Sequence, residues 1–150
     1  MKIRKLNKKE KPPLELLLLA DPSEKMIKDY LGQGDCLVAE INGQRIGVLV
    51  LLHTKSNTVE IMNVAVDEGY QGKGIGKQLI HNAIAIAKEE GHQVIEIGTG
   101  NSSISQLALY QKCGFRMVEI DHDFFVRNYS EDIYENGIQC RDRIRLVQEL

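Results

Sequence analysis

The residues with the clearest chemical potential lie in one stretch, Val64-Ala65-Val66-Asp67-Glu68-Gly69-Tyr70-Gln71-Gly72-Lys73-Gly74-Ile75-Gly76-Lys77. It reads as a strand, a glycine-rich loop and the start of an amphipathic helix. Loop amides with no side chains in the way can converge on an anion. A helix N-terminus adds free N–H groups and the positive end of the helix dipole. The chemistry expected there is the holding of a phosphate or pyrophosphate. Three glycines at alternate positions cost chain entropy without improving packing, which argues against a plain helix-start loop.

Two phosphate-loop patterns fail on the spacing. G-x-x-x-x-G-K-[ST] is broken because Gln78 follows Gly76-Lys77 and Gln71 stands where the first glycine belongs. G-x-G-x-x-G is met by Gly72 and Gly74, but the third glycine falls at Gly76, one position early. Glu96 lies where a ribose-binding acid would be expected. However, three antiparallel strands precede the loop, where a dinucleotide-binding unit would start with its first strand.

A third pattern fits. Gln71-Gly72-Lys73-Gly74-Ile75-Gly76 matches Q/R-x-x-G-x-G/A, the signature of the GCN5-related N-acetyltransferase (GNAT) family, and the chain resembles that family beyond the loop. Ile61-Met62-Asn63-Val64-Ala65-Val66 looks like the family's central strand. Leu107-Ala108-Leu109-Tyr110-Gln111-Lys112-Cys113-Gly114-Phe115 resembles its L-Y-x-K-x-G-F segment. The matching elements run in the family's order from about Cys36 to Ile120.

The resemblance implies acetyl-coenzyme A as cofactor. The pyrophosphate would rest on the amides of Gln71, Gly72, Lys73, Gly74, Ile75, Gly76 and Lys77. The pantetheine arm would pair with the backbone of Val64, Ala65 and Val66. The family often places an asparagine seven residues before its tyrosine. Here that position is Ser103, with Asn101 nearby, and either is expected to face the coenzyme.

The resemblance also implies a reaction, the direct attack of an amine on the thioester through a tetrahedral intermediate. A backbone N–H at Val64 or a neighbour would stabilise the oxyanion. Tyr110 matches the family tyrosine that protonates the leaving thiolate; a phenol is protonated at neutral pH and can donate. The alternative for Tyr110 is a packing aromatic. Glu60 matches a position where many members carry a basic carboxylate that takes the amine's proton, directly or through water. The alternative for Glu60 is a solvated strand residue, and Glu96 and Glu119 are weaker candidates. A rival reading keeps the loop without catalysis, as an acyl-coenzyme-A-binding sensor.

The elements needed to position these groups are legible. At 150 residues the chain is expected to be one domain, residues 1–150, with a sizeable core. Lys2–Leu6 reads as a strand, Leu14–Ala20 as a short helix, and Pro22–Leu31 as a second helix capped by Asp21. Cys36–Ile41 and Gln44–His53 form a hairpin through Asn42-Gly43, because a type I′ turn needs positive φ at both central residues. Thr58–Val66 follows. Ile75, Leu79, Ile80, Ala83, Ile84 and Ala87 then fall on one helical face. Val94–Ile97 completes a right-handed parallel crossover. A helix starting at Ser102 or Ser103 runs to about Lys112, and Phe115–Ile120 returns to strand. Alternation from Ile138 to Leu146 predicts a last strand, with Asp142 on its apolar side; pairing with an arginine is the preferred reading for it, and facing the acceptor site the alternative. The expected fold is α+β, a mixed and mostly antiparallel sheet flanked by helices, in which the family resemblance implies splayed central parallel strands, here Thr58–Val66 and Val94–Ile97.

Composition excludes several function classes. Nineteen Lys and Arg against 21 Asp and Glu give a net charge of −2, without the clustered cations that bulk nucleic-acid binding requires. Cys36, Cys113 and Cys140 form no C-x-x-C pair, so neither a zinc ribbon nor a disulfide framework is indicated. The four histidines lack metal-ligand spacing, and no metal is expected. In Asp121-His122-Asp123, neighbouring side chains of an extended stretch point to opposite sides. The Lys-rich start and Leu16-Leu17-Leu18-Leu19 mimic a secretory leader, but the apolar run is too short for one. A cytoplasmic protein with no membrane partner is expected. The acceptor would be the amine of a small molecule or peptide. Phe124, Phe125, Tyr129 and Tyr134, with Glu131, Asp132 and Glu135, form an aromatic and acidic segment. That segment suits a cationic amine, a homodimer contact or a lid.

Overall fold

The computed structural model describes residues 1–150. The elements in chain order are β1 (Lys2–Lys5), α1 (Leu14–Ala20), α2 (Glu24–Leu31), β2 (Asp35–Ile41), β3 (Gln44–Lys55), β4 (Thr58–Val66), α3 (Ile75–Glu89), β5 (Val94–Gly100), α4 (Ile104–Lys112), β6 (Arg116–Asp121), α5 (Phe124–Asn128), β7 (Tyr134–Glu135), β8 (Ile138–Gln139) and β9 (Arg143–Glu149). A short 3-10 turn, Glu68–Tyr70, lies between β4 and α3.

The main sheet has the order β1-β2-β3-β4-β5-β9-β6. Every neighbouring pair is antiparallel except β4 and β5, the parallel pair joined by the α3 crossover. The fold is thus the mixed, mostly antiparallel one that the sequence implies. Asn42 and Gly43 adopt φ of 51° and 78°, and Ile41 pairs with Gln44 across the two-residue turn. The α3 residues picked out by helical periodicity are all buried. With Ile61, Ile95, Ile97, Ile144 and Leu146 they form a core on one face of the sheet. Helices α1 and α2 cover the other face over β2–β4, through Leu17, Ile27, Val38, Val48 and Val50. No helix is long and apolar enough to cross a membrane.

The strand β4 changes face part-way along. Its register against β3 runs Val50 to Asn63 and then Leu51 to Ile61, leaving Met62 as an extra residue. A bulge of this kind bends a strand and re-aims its side chains. Val59 and Ile61 therefore face the α3 core, whereas Ala65 faces the α1–α2 core. The parallel pairing stops at the same place. It covers only Thr58–Ile61 against Val94–Ile97, after which β5 continues alone with β9 through Gly98, Thr99 and Gly100. The central strands are splayed from Met62 onward.

Three sequence expectations are corrected. The cap of α2 is Ser23, whose Oγ accepts from Met26 N at 3.2 Å; Asp21 sits two residues earlier and accepts from Ser23 N. The last strand begins at Arg143. Ile138-Gln139 instead pairs with Tyr134-Glu135 around a second Asn-Gly turn, Asn136 (φ 55°) and Gly137 (φ 73°). Asp142 pairs with no arginine. It accepts the backbone N–H of Asp123 at 2.9 Å and lies 3.6 Å from His122 Nδ1.

Candidate active site

The loop after β4 is built to leave its amides bare. Asp67 accepts from Gly69 N and starts the 3-10 turn. Gln71 Nε2 donates to Val66 O at 2.9 Å, tying the loop to the strand end. Gly72 and Gly74 have φ of 77° and 81°, which L side chains rarely adopt, and a Cβ at either would point into open space. The requirement for glycine is conformational there, not steric. The first helical bond is Gln78 N to Gly74 O. None of the seven backbone N–H groups from Gln71 to Lys77 donates to any group of the chain. Converging free donors at a helix start form an anion cradle, and the set fits a pyrophosphate.

The splay opens a cavity of about 570 Å³. Met62, Asn63 and Val64 line it from β4, and Gly98, Thr99 and Gly100 from β5. Ser103, Gln106 and Tyr110 line it from the α4 side. Leu18–Pro22, Met26 and Tyr30 form a third wall. Phe124, Phe125, Tyr129, Ile133 and Glu135 close a fourth.

Glu60, Val64, Ser103 and Tyr110, expected at the site from the sequence, meet around this one cavity. The Tyr110 ring is buried, and burial raises its pKa, so the phenol keeps its proton. Its hydroxyl makes no hydrogen bond within the chain, although it is not sealed off from the cavity. Glu60 Oε2 accepts from Arg143 Nη2 at 2.7 Å. Burial pushes its carboxyl pKa up; Arg143 pulls it back and Glu96 adds to the rise. The result is a carboxylate more basic than an exposed one.

Ala65 and Val66 carry β4 from the cavity to the loop. Ser103 occupies the cap position of α4, but its Oγ donates to Glu135 Oε1 at 2.8 Å. Asn101 does not line the cavity. Its Oδ1 accepts from Arg141 N and Asp142 N, and its Nδ2 donates to Gln139 O. Its amide holds the loop before β9.

Several cavity groups escape a reading of the sequence. Asp21 accepts the hydroxyls of Tyr30 (3.2 Å) and Tyr129 (2.9 Å), linking α2 to the segment after α5. Asn63 Nδ2 donates to Leu17 O and to the Tyr30 hydroxyl. Its Oδ1 is buried without a partner. Arg143 reaches the cavity over Gly98. Asp21 reads as a helix cap and Arg143 as the outward half of an alternating strand, so neither announces itself.

Comparison with known proteins decides the family. The model of the Acetyltransferase (GNAT) family matches residues 2–115. This chain belongs to the GNAT acetyltransferases. It is 60% identical over 136 residues to the uncharacterized N-acetyltransferase YvbK of Bacillus subtilis, covering 91% of this chain and 88% of that protein. Among solved structures it resembles an IAA acetyltransferase from Bacillus cereus, with TM-score 0.96, 56% identity and 99% of both chains covered. It also resembles a GNAT family acetyltransferase from Elizabethkingia anophelis solved with acetyl-CoA bound, with TM-score 0.97 and 46% identity, covering 99% of this chain and 97% of that one. A GNAT domain is expected to part its central strands beside a bare-amide loop, and this chain does so at Met62.

Proposed function

We propose that this GNAT chain is an acetyl-CoA-dependent N-acetyltransferase that moves the acetyl group to an amine by direct attack. The observation that carries this reading is the run of seven unpaired amides, Gln71 to Lys77, beside a strand whose parallel neighbour departs. When bound, acetyl-CoA supplies an activated thioester. The residues of the chain do the rest. The loop amides hold the diphosphate and Lys77 adds a positive charge at the helix start. The backbone of Val64, Ala65 and Val66 pairs with the extended arm, and Ser103 flanks it; Asn101 secures the loop behind. The Val64 N–H faces the charge that develops on the carbonyl oxygen. Glu60 takes the proton of the attacking amine, and its raised pKa suits that task. Tyr110 gives its proton to the departing sulfur. Three free cysteines suit a reducing compartment, and we place the reaction in the cytoplasm.

Calorimetric titration with acetyl-CoA, followed by thiol release across a panel of amines, tests the reading. Saturable binding with amine-dependent thiol release is expected. Absence of binding overturns it; binding without turnover for any amine assigns the chain to non-catalytic coenzyme binding.

A further inference from the structure

Arg143 is the anomaly of the cavity. Its side chain is 21% exposed, the most buried of the ion-paired arginines; the others range from 27% to 54%. It is also the least satisfied. Arg4 places three nitrogens on carboxylates, and Arg45, Arg127 and Arg141 place two each on acceptors. Arg145 donates to Glu96 and approaches Glu119. Arg143 donates one bond, Nη2 to Glu60 Oε2. Its Nε and Nη1 have no acceptor in the chain. Those two nitrogens are not sealed off and stay available to a group entering the cavity, and a planar guanidinium matches a carboxylate with two parallel bonds.

Its placement is specific. The guanidinium lies over Gly98, in space that any side chain there would fill, and 5.7 Å from the centre of the Phe124 ring. Beside it, Glu60 keeps Oε1 free of hydrogen bonds. The cavity thus presents a carboxylate and a half-used guanidinium as neighbours, 2.7 Å apart at their closest atoms. The complement is an ammonium and a carboxylate on one carbon. Beside that pair the lining is largely aromatic, with Asp21 and Glu135 also on the cavity wall: Phe124 and Phe125 meet edge to face with centres 5.0 Å apart, Tyr129 follows at 5.5 Å from Phe125, and Met62 lies on β4.

We infer that the acceptor is an α-amino acid with an aromatic or large apolar side chain. Arg143 holds its carboxylate and Glu60 receives its amine. This inference rests on the acetyl-transfer reading above. A simple amine leaves the free Nε and Nη1 of Arg143 without a substrate partner.

The test is thiol release from acetyl-CoA with phenylalanine, phenylalaninamide and phenethylamine, which share one body and differ at the carboxylate. A kcat/KM for phenylalanine at least ~10²-fold above that for phenethylamine is expected, since a site built to bond a group discriminates strongly against its absence. The ratio should fall to within a few-fold of unity in Arg143→Gln. It should also fall in Gly98→Ala, which keeps the arginine but displaces it. Equal or better use of phenethylamine overturns the inference. So does a ratio that survives both variants, or acetyl-CoA binding without turnover of phenylalanine. Failure to bind acetyl-CoA in the calorimetric titration separates collapse of the parent reading from collapse of this one.

Discussion

The guanidinium of Arg143 occupies the space a Cβ on Gly98 would need, and from there it reaches Glu60 at 2.7 Å. The register of β5 against β9 pairs Gly98 with Arg145 and Gly100 with Arg143, so glycines stand opposite both arginines. On this face the sheet carries Glu60, Glu96, Arg143 and Arg145 in place of a hydrophobic layer. A glycine in a strand often marks the close approach of another group, and at Gly98 that group is a side chain of the site itself.

Gly98→Ala is therefore expected to fold and to change the pH profile. The backbone at Gly98 lies outside the positive-φ region, and the obstruction is the far end of a flexible side chain. Arg143 favours the charged form of Glu60 and so lowers its pKa. With the guanidinium pushed away, that pKa rises and the free base appears only at higher pH. The acidic limb of kcat/KM should move to higher pH, read from rates across the pH range, with the melting temperature changed by only a few degrees. An unmoved limb would show that Glu60 does not govern it.

Tyr110→Phe should separate catalysis from folding. The hydroxyl bonds to nothing in the chain, so its removal leaves no group unpaired. The ring, which meets Phe115 at 6.5 Å, is retained. General acid catalysis contributes ~10²–10⁴-fold. The expected result is a fall in kcat of at least ~10²-fold with an unaltered acetyl-CoA affinity by calorimetry. Unchanged kcat would return Tyr110 to a packing role.

How much of this was legible depends on the range of the interaction. The crossover, the α3 face and the Asn42-Gly43 turn follow from local periodicity and turn chemistry, and they appear as expected. The Asn136-Gly137 turn carries the same chemistry, yet its strands are two residues each, too short for alternation to register. The bulge at Met62 is invisible because Thr58–Val66 alternates plausibly in either register. The loop glycines point to their own function, since positive φ leaves a mark in residue type. The Asp21, Tyr30, Asn63 and Tyr129 cluster and the Arg143–Glu60 pair do not, because all of these contacts but Asp21–Tyr30 join residues far apart in the chain.

Tyr129 ties the aromatic segment to the opposite wall. Its hydroxyl donates to Asp21 Oδ1 at 2.9 Å, and burial together with Asp21 raises its pKa, so the bond persists well above neutral pH. Tyr129→Phe removes this link and leaves Asp21 with Ser23 N and the Tyr30 hydroxyl. A stability loss of about 1–2 kcal/mol is expected. The acceptor KM should rise while acetyl-CoA binding holds, because the segment lines the cavity and not the amide loop. Steady-state kinetics with each substrate varied would show it; equal effects on both substrates would contradict a local role.

The edge of the sheet predicts a distinct acid sensitivity. Arg4 donates Nη1 and Nη2 to the two oxygens of Glu10 at 2.8 and 2.7 Å, and Nε to Glu40 at 2.7 Å. Arg45 adds a bond to Glu10 at 3.0 Å. The Arg4 hydrogen bonds hold Glu10 at about 2, against an ordinary 4.5, and lower Glu40 as well. A carboxylate depressed in the folded state stabilises fully above its unfolded pKa and loses that contribution as pH falls through the folded value. The support that Glu10 gives to β1 should thus be complete at neutral pH and decline between about 4.5 and about 2. Glu10→Gln should have a lower urea midpoint than the parent at pH 7, with the gap closing toward pH 2. The gap should also narrow in high salt, because the pair lies near solvent. A gap that persists undiminished at low pH would assign the effect of Glu10 to packing instead of charge.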